Sequence, residues 1–123
     1  MGCIRFFTEC LSSSRINKSF RELGLLTLLA KKEVYEWLKT GQKTIDVRRG
    51  KPRQGERVLF ISGPHRLEMQ IVDRQSGALS DLIRENNFRQ VIPSAGSVDE
   101  AVNYLRRIYG DVEGVFTAYF VTY

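Results

Sequence analysis

Lys43, Thr44, Asp46 and Arg48 stand at close spacing just after Gly41 in the run GQKTIDVR, and no other side chains in this sequence are better suited to chemistry. An ammonium at the mouth of an apolar fold is partly desolvated, which lowers its pKa, while a carboxylate close by raises it again. Such a pair can orient a nucleobase or a phosphate, or activate a water. The same residues admit a plainer arrangement, with Lys43 snorkelling from a helix end and Asp46 paired to Arg48 or another arginine on the solvent face. Spacing alone does not choose between them.

Charge placement sharpens the question. The 123-residue chain carries 19 Lys and Arg against 14 Asp and Glu, a net charge of +5. Six of the basic residues fall between positions 43 and 57 (Lys43, Arg48, Arg49, Lys51, Arg53 and Arg57), against two acidic ones, Asp46 and Glu56. Most of the positive excess therefore sits in one segment, which is the electrostatic footprint of a polyanion binder. A loop kept soluble by its charge has the same composition, and an acidic protein is a further partner for such a face.

Several chemistries lack their residues. The chain has no P-loop, no dinucleotide glycine pattern and no G-x-S-x-G elbow. His65 is the single histidine, beside Pro64 in a strand-to-strand turn, and Cys3 and Cys10 have no histidine at metal-ligand spacing. No metal and no cofactor are expected. A bridge between the cysteines would close a short loop and staple none of the core, which fits a reducing compartment. No apolar run approaches the roughly 20 residues that span a bilayer, and no apolar signal segment opens the chain, so no membrane contact and a cytoplasmic location are expected. The opening Met-Gly-Cys has Phe6 where the myristoylation pattern wants Ser or Thr.

The elements that must position the polar residues follow from periodicity. Residues 1–22 carry no sustained period and read as a peripheral extension, leaving 23–123 as one domain. LGLLTLLA suits a strand buried on both faces. KKEVYEWLKTG places Val34, Trp37 and Leu38 on one face of a short helix that Gly41 ends. KTIDVR alternates, with Lys43, Ile45 and Val47 pointing one way and Thr44, Asp46 and Arg48 the other. RGKPRQGE is a loop, and RVLFIS and RLEMQIV are strands joined at Gly63-Pro64, the three strands reading as an antiparallel meander. In LSDLIREN, Ser80 is the expected helix cap, and FRQVIP is an apolar connector. Ser97 and Glu100 form a capping box for SVDEAVNYLRRIYG, whose core face is Val98, Ala101, Val102, Leu105 and Ile108. GVFTAYFVTY closes the domain as a strand. Tyr35, Trp37 and Tyr119 can stack on a base, although their spacing reads as core. This order predicts an α+β domain with a small, curled, largely antiparallel sheet, bent near Gly50, Gly55 and Gly63.

The helix beginning KKEV, the run G-x-K-T-I-D-V-R and the basic loop ending G-E-x-V together resemble the ASCH family, the activating signal cointegrator homology domains of the PUA-like superfamily. Gly41, Lys43, Asp46 and Arg48 match its G-x-K-x-x-E-x-R signature, with Asp46 in place of the usual glutamate, and Gly55 and Glu56 match the following turn. The likeness covers about residues 23–121, including a two-helix insert from Asp81 to Gly110. It implies a PUA-like β-barrel of about five strands flanked by two or three helices, with a cleft near the signature that binds RNA or a modified nucleoside. On that reading Lys43, Thr44, Asp46 and Arg48 receive a base or ribose, and Arg49, Lys51, Arg53 and Arg57 contact phosphates. Some small members are amidohydrolases of acetylated cytidine, which implies Lys43 as the catalytic residue with Asp46 or Glu85 as its acidic partner.

Overall fold

The computed structural model describes residues 24–123. The extension expected at residues 1–22, with Cys3 and Cys10, lies outside the described residues. Nine elements follow in order: β1 (Leu25–Leu29), α1 (Lys32–Lys39), β2 (Ile45–Arg49), β3 (Arg57–Ser62), β4 (His65–Gly77), α2 (Leu79–Leu82), α3 (Phe88–Val91), α4 (Val98–Tyr109) and β5 (Phe116–Thr122). The strands make one five-stranded sheet in the order β1-β3-β4-β5-β2. Three of its pairings are antiparallel and one, β1 with β3, is parallel. The sheet curls into a half-barrel with four helices around it, as the expected α+β architecture requires.

The meander expected of β2, β3 and β4 does not form. β3 and β4 pair as a hairpin, but β2 pairs with β5 at the opposite edge, Asp46 facing Tyr119. The loop between β2 and β3 spans residues 50–56 and crosses from one edge to the other. Its Arg53 N–H donates to the Tyr119 hydroxyl at 3.0 Å. Such a loop is too long for a hairpin turn, and the sequence holds no signal of where it docks.

β4 is longer than expected, continuing past Val72 to Gly77. Its first half pairs with β3 and its second half with β5, and a bulge falls between Ile71 and Asp73. Val72 is squeezed outward there and is 62% exposed. A bulge adds twist and bends its strand, so β4 contributes to the curl at a position the sequence did not mark.

Two apolar clusters pack the two faces. Leu26, Leu28, Val58, Phe60, Met69, Tyr119 and Val121 gather with Val34 and Leu38 of α1. Ile45, Val47, Phe116 and Ala118 gather with the residues of α2, α3 and α4. β1 is buried on one face, not two: Leu26 and Leu28 are buried, but Leu29 is 73% exposed. As an edge strand in the sheet it has no second covering layer among the described residues.

The helices correct the sequence reading in detail. α2 starts after Ala78 with no side-chain cap, so Ser80 lies inside it. The expected connector contains the single turn α3, preceded by Asn87, whose side chain bonds the Arg84 N–H and the Leu82 carbonyl. α4 forms as expected: Ser97 accepts from Glu100 N–H at 3.2 Å, and Glu100 reaches back to Gly96 N–H at 2.7 Å. Its buried residues are Ala101, Tyr104 and Leu105, while Ile108 is 42% exposed. Tyr104 takes the place that Ile108 was expected to hold.

Candidate functional site

β2 is buried on both sides. Ile45 and Val47 face the helices, and Asp46 and Arg48 lie across the strand from them, sharing their side with Tyr119 and Thr117. Asp46 is only 3% exposed, as is Lys43. The expected alternation is therefore present, but the polar side faces the molecule as well.

Lys43 stands between the end of α1 and the start of β2. Its N–H donates to the Trp37 carbonyl at 3.0 Å. Its ammonium donates to the Ile45 carbonyl at 2.8 Å and to the Val91 carbonyl at the end of α3. Burial pushes the amine down from 10.5 to about 8, with Asp46 raising it and Arg48 lowering it further. Asp46 accepts from Arg48 Nε at 2.6 Å. Burial disfavours the charged Arg48 guanidinium, yet the Asp46 carboxylate beside it outweighs that cost and holds it above its ordinary value. Snorkelling to solvent does not occur at Lys43, whereas the Asp46–Arg48 pair does form.

Lys43, Asp46, Val47 and Arg48 line a cavity of about 110 Å³ whose other walls are Leu29 at the end of β1, Ala30 and Lys31 after it, Val34 of α1, Ile92, and Tyr104, Leu105, Ile108 and Tyr109 of α4. Residues of β1 and β2, the two edges of the sheet, meet in it, so it sits where the half-barrel is open. An ammonium has three donors and a carboxylate accepts at two oxygens. Among the described residues one Lys43 donor and much of the Asp46 acceptor capacity have no partner.

The remaining sequence candidates are dispersed. Thr44 ties the sheet, its N–H donating to the Gln90 carbonyl and its carbonyl accepting from Val121 N–H. Arg49 pairs with Asp111 at 3.0 Å and lies over the rings of Tyr109 and Phe116. The Glu113 N–H and the Arg49 guanidinium hold the Asp111 carboxyl below its usual range. Arg57 pairs with Glu68. Lys51 and Arg53 are exposed on the loop, without a salt bridge among the described residues. Glu85 is exposed and borders a separate hollow with residues 86–90; it does not line the Lys43 cavity. His65 stacks on Tyr35 at 5.5 Å.

Tyr104 and Lys31 escaped the sequence reading. Lys31 opens the run read as a short helix, and Tyr104 falls outside the core face expected of its own helix. Both line the cavity. Among the described residues no group of His, Cys, Asp and Glu is arranged to hold a metal, and no helix is long and apolar enough to cross a membrane.

No family model matches the chain, and no curated protein matches it. Solved structures do. The hypothetical protein PH0355 is similar over 79% of this chain and 96% of its own, with a TM-score of 0.61 at 17% identity. An ASCH protein from Zymomonas mobilis is similar over 80% of this chain and 67% of its own, with a TM-score of 0.60 at 15% identity. At such identities the likeness concerns the fold alone, and the fold of this chain, a curled five-stranded half-barrel with its helices, is ASCH-like.

Proposed function

We propose that this ASCH-like module binds RNA or a nucleotide, receiving a base or ribose in the Lys43–Asp46–Arg48 cavity and meeting phosphates with its basic loop. The observation that carries this reading is a buried lysine and a buried carboxylate with hydrogen-bonding capacity left over, side by side in one concavity. A polar pair withdrawn from water is costly unless something completes its bonds. At about 110 Å³ the cavity is well below the roughly 300 Å³ of a site for a drug-sized ligand, which suits a single ring. At the strand ends that flank the loop, Arg49 and Arg57 are engaged with carboxylates, so phosphate contact falls to Lys51 and Arg53.

The test is binding of a short single-stranded RNA across a range of salt. Affinity should fall steeply, and Lys51→Gln with Arg53→Gln should flatten the log–log slope by roughly 0.7 per lost contact. An unchanged slope removes the loop from the interface, and no binding at low salt removes the reading itself.

A second reading is favoured by the Lys43 amine alone. With a pKa of about 8, roughly a tenth of it is neutral at pH 7, far more than for a free lysine. That suits a general base in a small hydrolase of a modified nucleoside, such as acetylcytidine, or of RNA, with Asp46 as the acidic group within the cavity. Product from acetylcytidine or RNA that disappears in Lys43→Ala supports it. Absence of product from both ends it.

A further inference from the structure

We propose that Lys31 and Arg107, each within cation–π distance of the Tyr104 ring, form a phosphate-binding pair, so that the ligand is a phosphorylated nucleoside or an RNA segment rather than a free nucleoside. This rests on the reading of the Lys43 cavity as the seat of a base or ribose.

Tyr104 and Ile92 are shared by two hollows. One is the Lys43 cavity. The other, about 280 Å³, is lined by Ser94, Glu100, Asn103 and Arg107 as well as Tyr104. Lys31 Nζ lies 5.5 Å from the Tyr104 ring centroid and Arg107 Cζ lies 5.6 Å from it. Both distances are within the range of a cation–π contact, which holds the two cations near one fixed point. The ring in turn is packed 5.9 Å from Trp37, and its hydroxyl donates to Glu33.

Lys31 and Arg107 are the two exposed cations that line these hollows. Arg48, Arg49 and Arg57 each have a carboxylate partner, whereas Lys31 and Arg107 are exposed and have none within salt-bridge distance among the described residues. The carboxylates in the neighbourhood have other donors: Glu33 takes the Tyr104 hydroxyl and Glu100 takes the Gly96 N–H. Their charge still weakens the local field, so phosphate binding here is steeply salt-dependent.

Wall chemistry decides where a phosphate goes. The cavity of about 110 Å³ has largely apolar walls, which suit a ring better than a phosphate, and the exposed cation on its lining is Lys31. The phosphate stays at the mouth, where Lys31 stands, with the wider hollow of Arg107 next to it. A planar guanidinium and a mobile ammonium are the two side chains best matched to phosphate oxygens.

Titration calorimetry at low salt would compare the four common nucleosides with their 5′- and 3′-monophosphates. At least one monophosphate is expected to bind roughly tenfold tighter than its nucleoside, and the ratio should fall to about one in Lys31→Gln with Arg107→Gln. Both residues are exposed, so the variant keeps its fold. Equal binding of nucleoside and monophosphate overturns the phosphate pair and leaves the cavity reading intact. An advantage that survives in the double variant overturns it as well. If neither class of compound binds, and short RNA does not either, the cavity reading falls and this inference with it.

Discussion

The ammonium of Lys43 donates to the carbonyl of Val91, 48 positions later, and so fastens the approach to β2 onto the end of α3. The join is doubled by Thr44 N–H on the Gln90 carbonyl at 3.1 Å. Carbonyls at the end of a helix lack intrahelical donors and favour a cation. Lys43 is thus a structural tie and a cavity residue at once, and the two roles carry opposite consequences for stability.

The pH dependence exposes that conflict. With its amine lowered from 10.5 to about 8, the folded protein releases the Lys43 proton before the unfolded chain does. Between these values the unfolded chain holds more protons, so stability rises with pH across the window. The full shift corresponds to roughly 3 kcal/mol, an upper bound at this burial. Tyr104 works in the opposite sense from about pH 10 upward, because burial and the bond to Glu33 raise its phenol. Urea unfolding should therefore show a gain between pH 7 and about pH 9.5, and the gain should be absent in Lys43→Met. Stability that is flat or falling in the wild type over this interval would place the amine outside the buried setting described here.

Asp46→Asn separates the pair from its shape. The amide fills the same space but leaves the half-buried Arg48 guanidinium, now paired at 2.6 Å, without a counter-charge. Breaking a fully buried pair costs about 3–5 kcal/mol; the Arg48 side chain is 25% exposed, so about 2 kcal/mol is expected. The Lys43 amine also loses the one neighbour that raises it and should titrate lower still. Denaturant unfolding and NMR titration of Lys43 read the two effects separately. A stable variant with Lys43 unmoved would mean that Asp46 is not the charge either cation depends on.

The sequence made the elements visible where one face is apolar at a regular interval: α4 with its Ser97 box, α1 ending at Gly41, the hairpin of β3 and β4. It also pointed to Lys43, Asp46 and Arg48, because charged residues inside a strand with apolar neighbours are costly unless they meet something. It did not reveal which strand lies beside β2, since the partner β5 is distant in sequence and pairing depends on the docking of the 50–56 loop. The fate of the basic loop was hidden for a related reason. Arg49 and Arg57 look alike in the sequence to Lys51 and Arg53, and only the fold brings Asp111 and Glu68 to the first two. Tyr104 falls outside the expected core face of α4, because a tyrosine among apolar positions gives no sign of the hollow its ring will border.

Tyr119 anchors the loop that carries Lys51 and Arg53. Its hydroxyl accepts from Arg53 N–H at 3.0 Å, and its ring lies 5.8 Å from the Arg74 guanidinium, which also donates to the Arg53 and Gly55 carbonyls. Tyr119→Phe keeps the ring and removes one hydrogen bond, a change of about 1 kcal/mol. Hydrogen exchange at Arg53 should accelerate, and RNA affinity should weaken only to the extent that a preorganised loop matters. Unchanged protection at Arg53 would show that Arg74 alone holds the loop.

Gly55 marks the close approach of that loop to β1. Its φ is +142°, and a Cβ there would stand 3.3 Å from both Cβ and N of Leu26. The next two N–H groups, of Glu56 and Arg57, both donate to the Gly24 carbonyl, so the backbone has little freedom to retreat. At Gly63, with φ of +59°, a Cβ would meet nothing within 4 Å. Alanine at Gly63 therefore bears only the left-handed backbone cost of about 1 kcal/mol, whereas alanine at Gly55 adds a clash and should cost about 2–3 kcal/mol. Equal loss of stability in the two variants would mean that β1 yields at Leu26, and that the seam between β1 and the loop is looser than these distances make it.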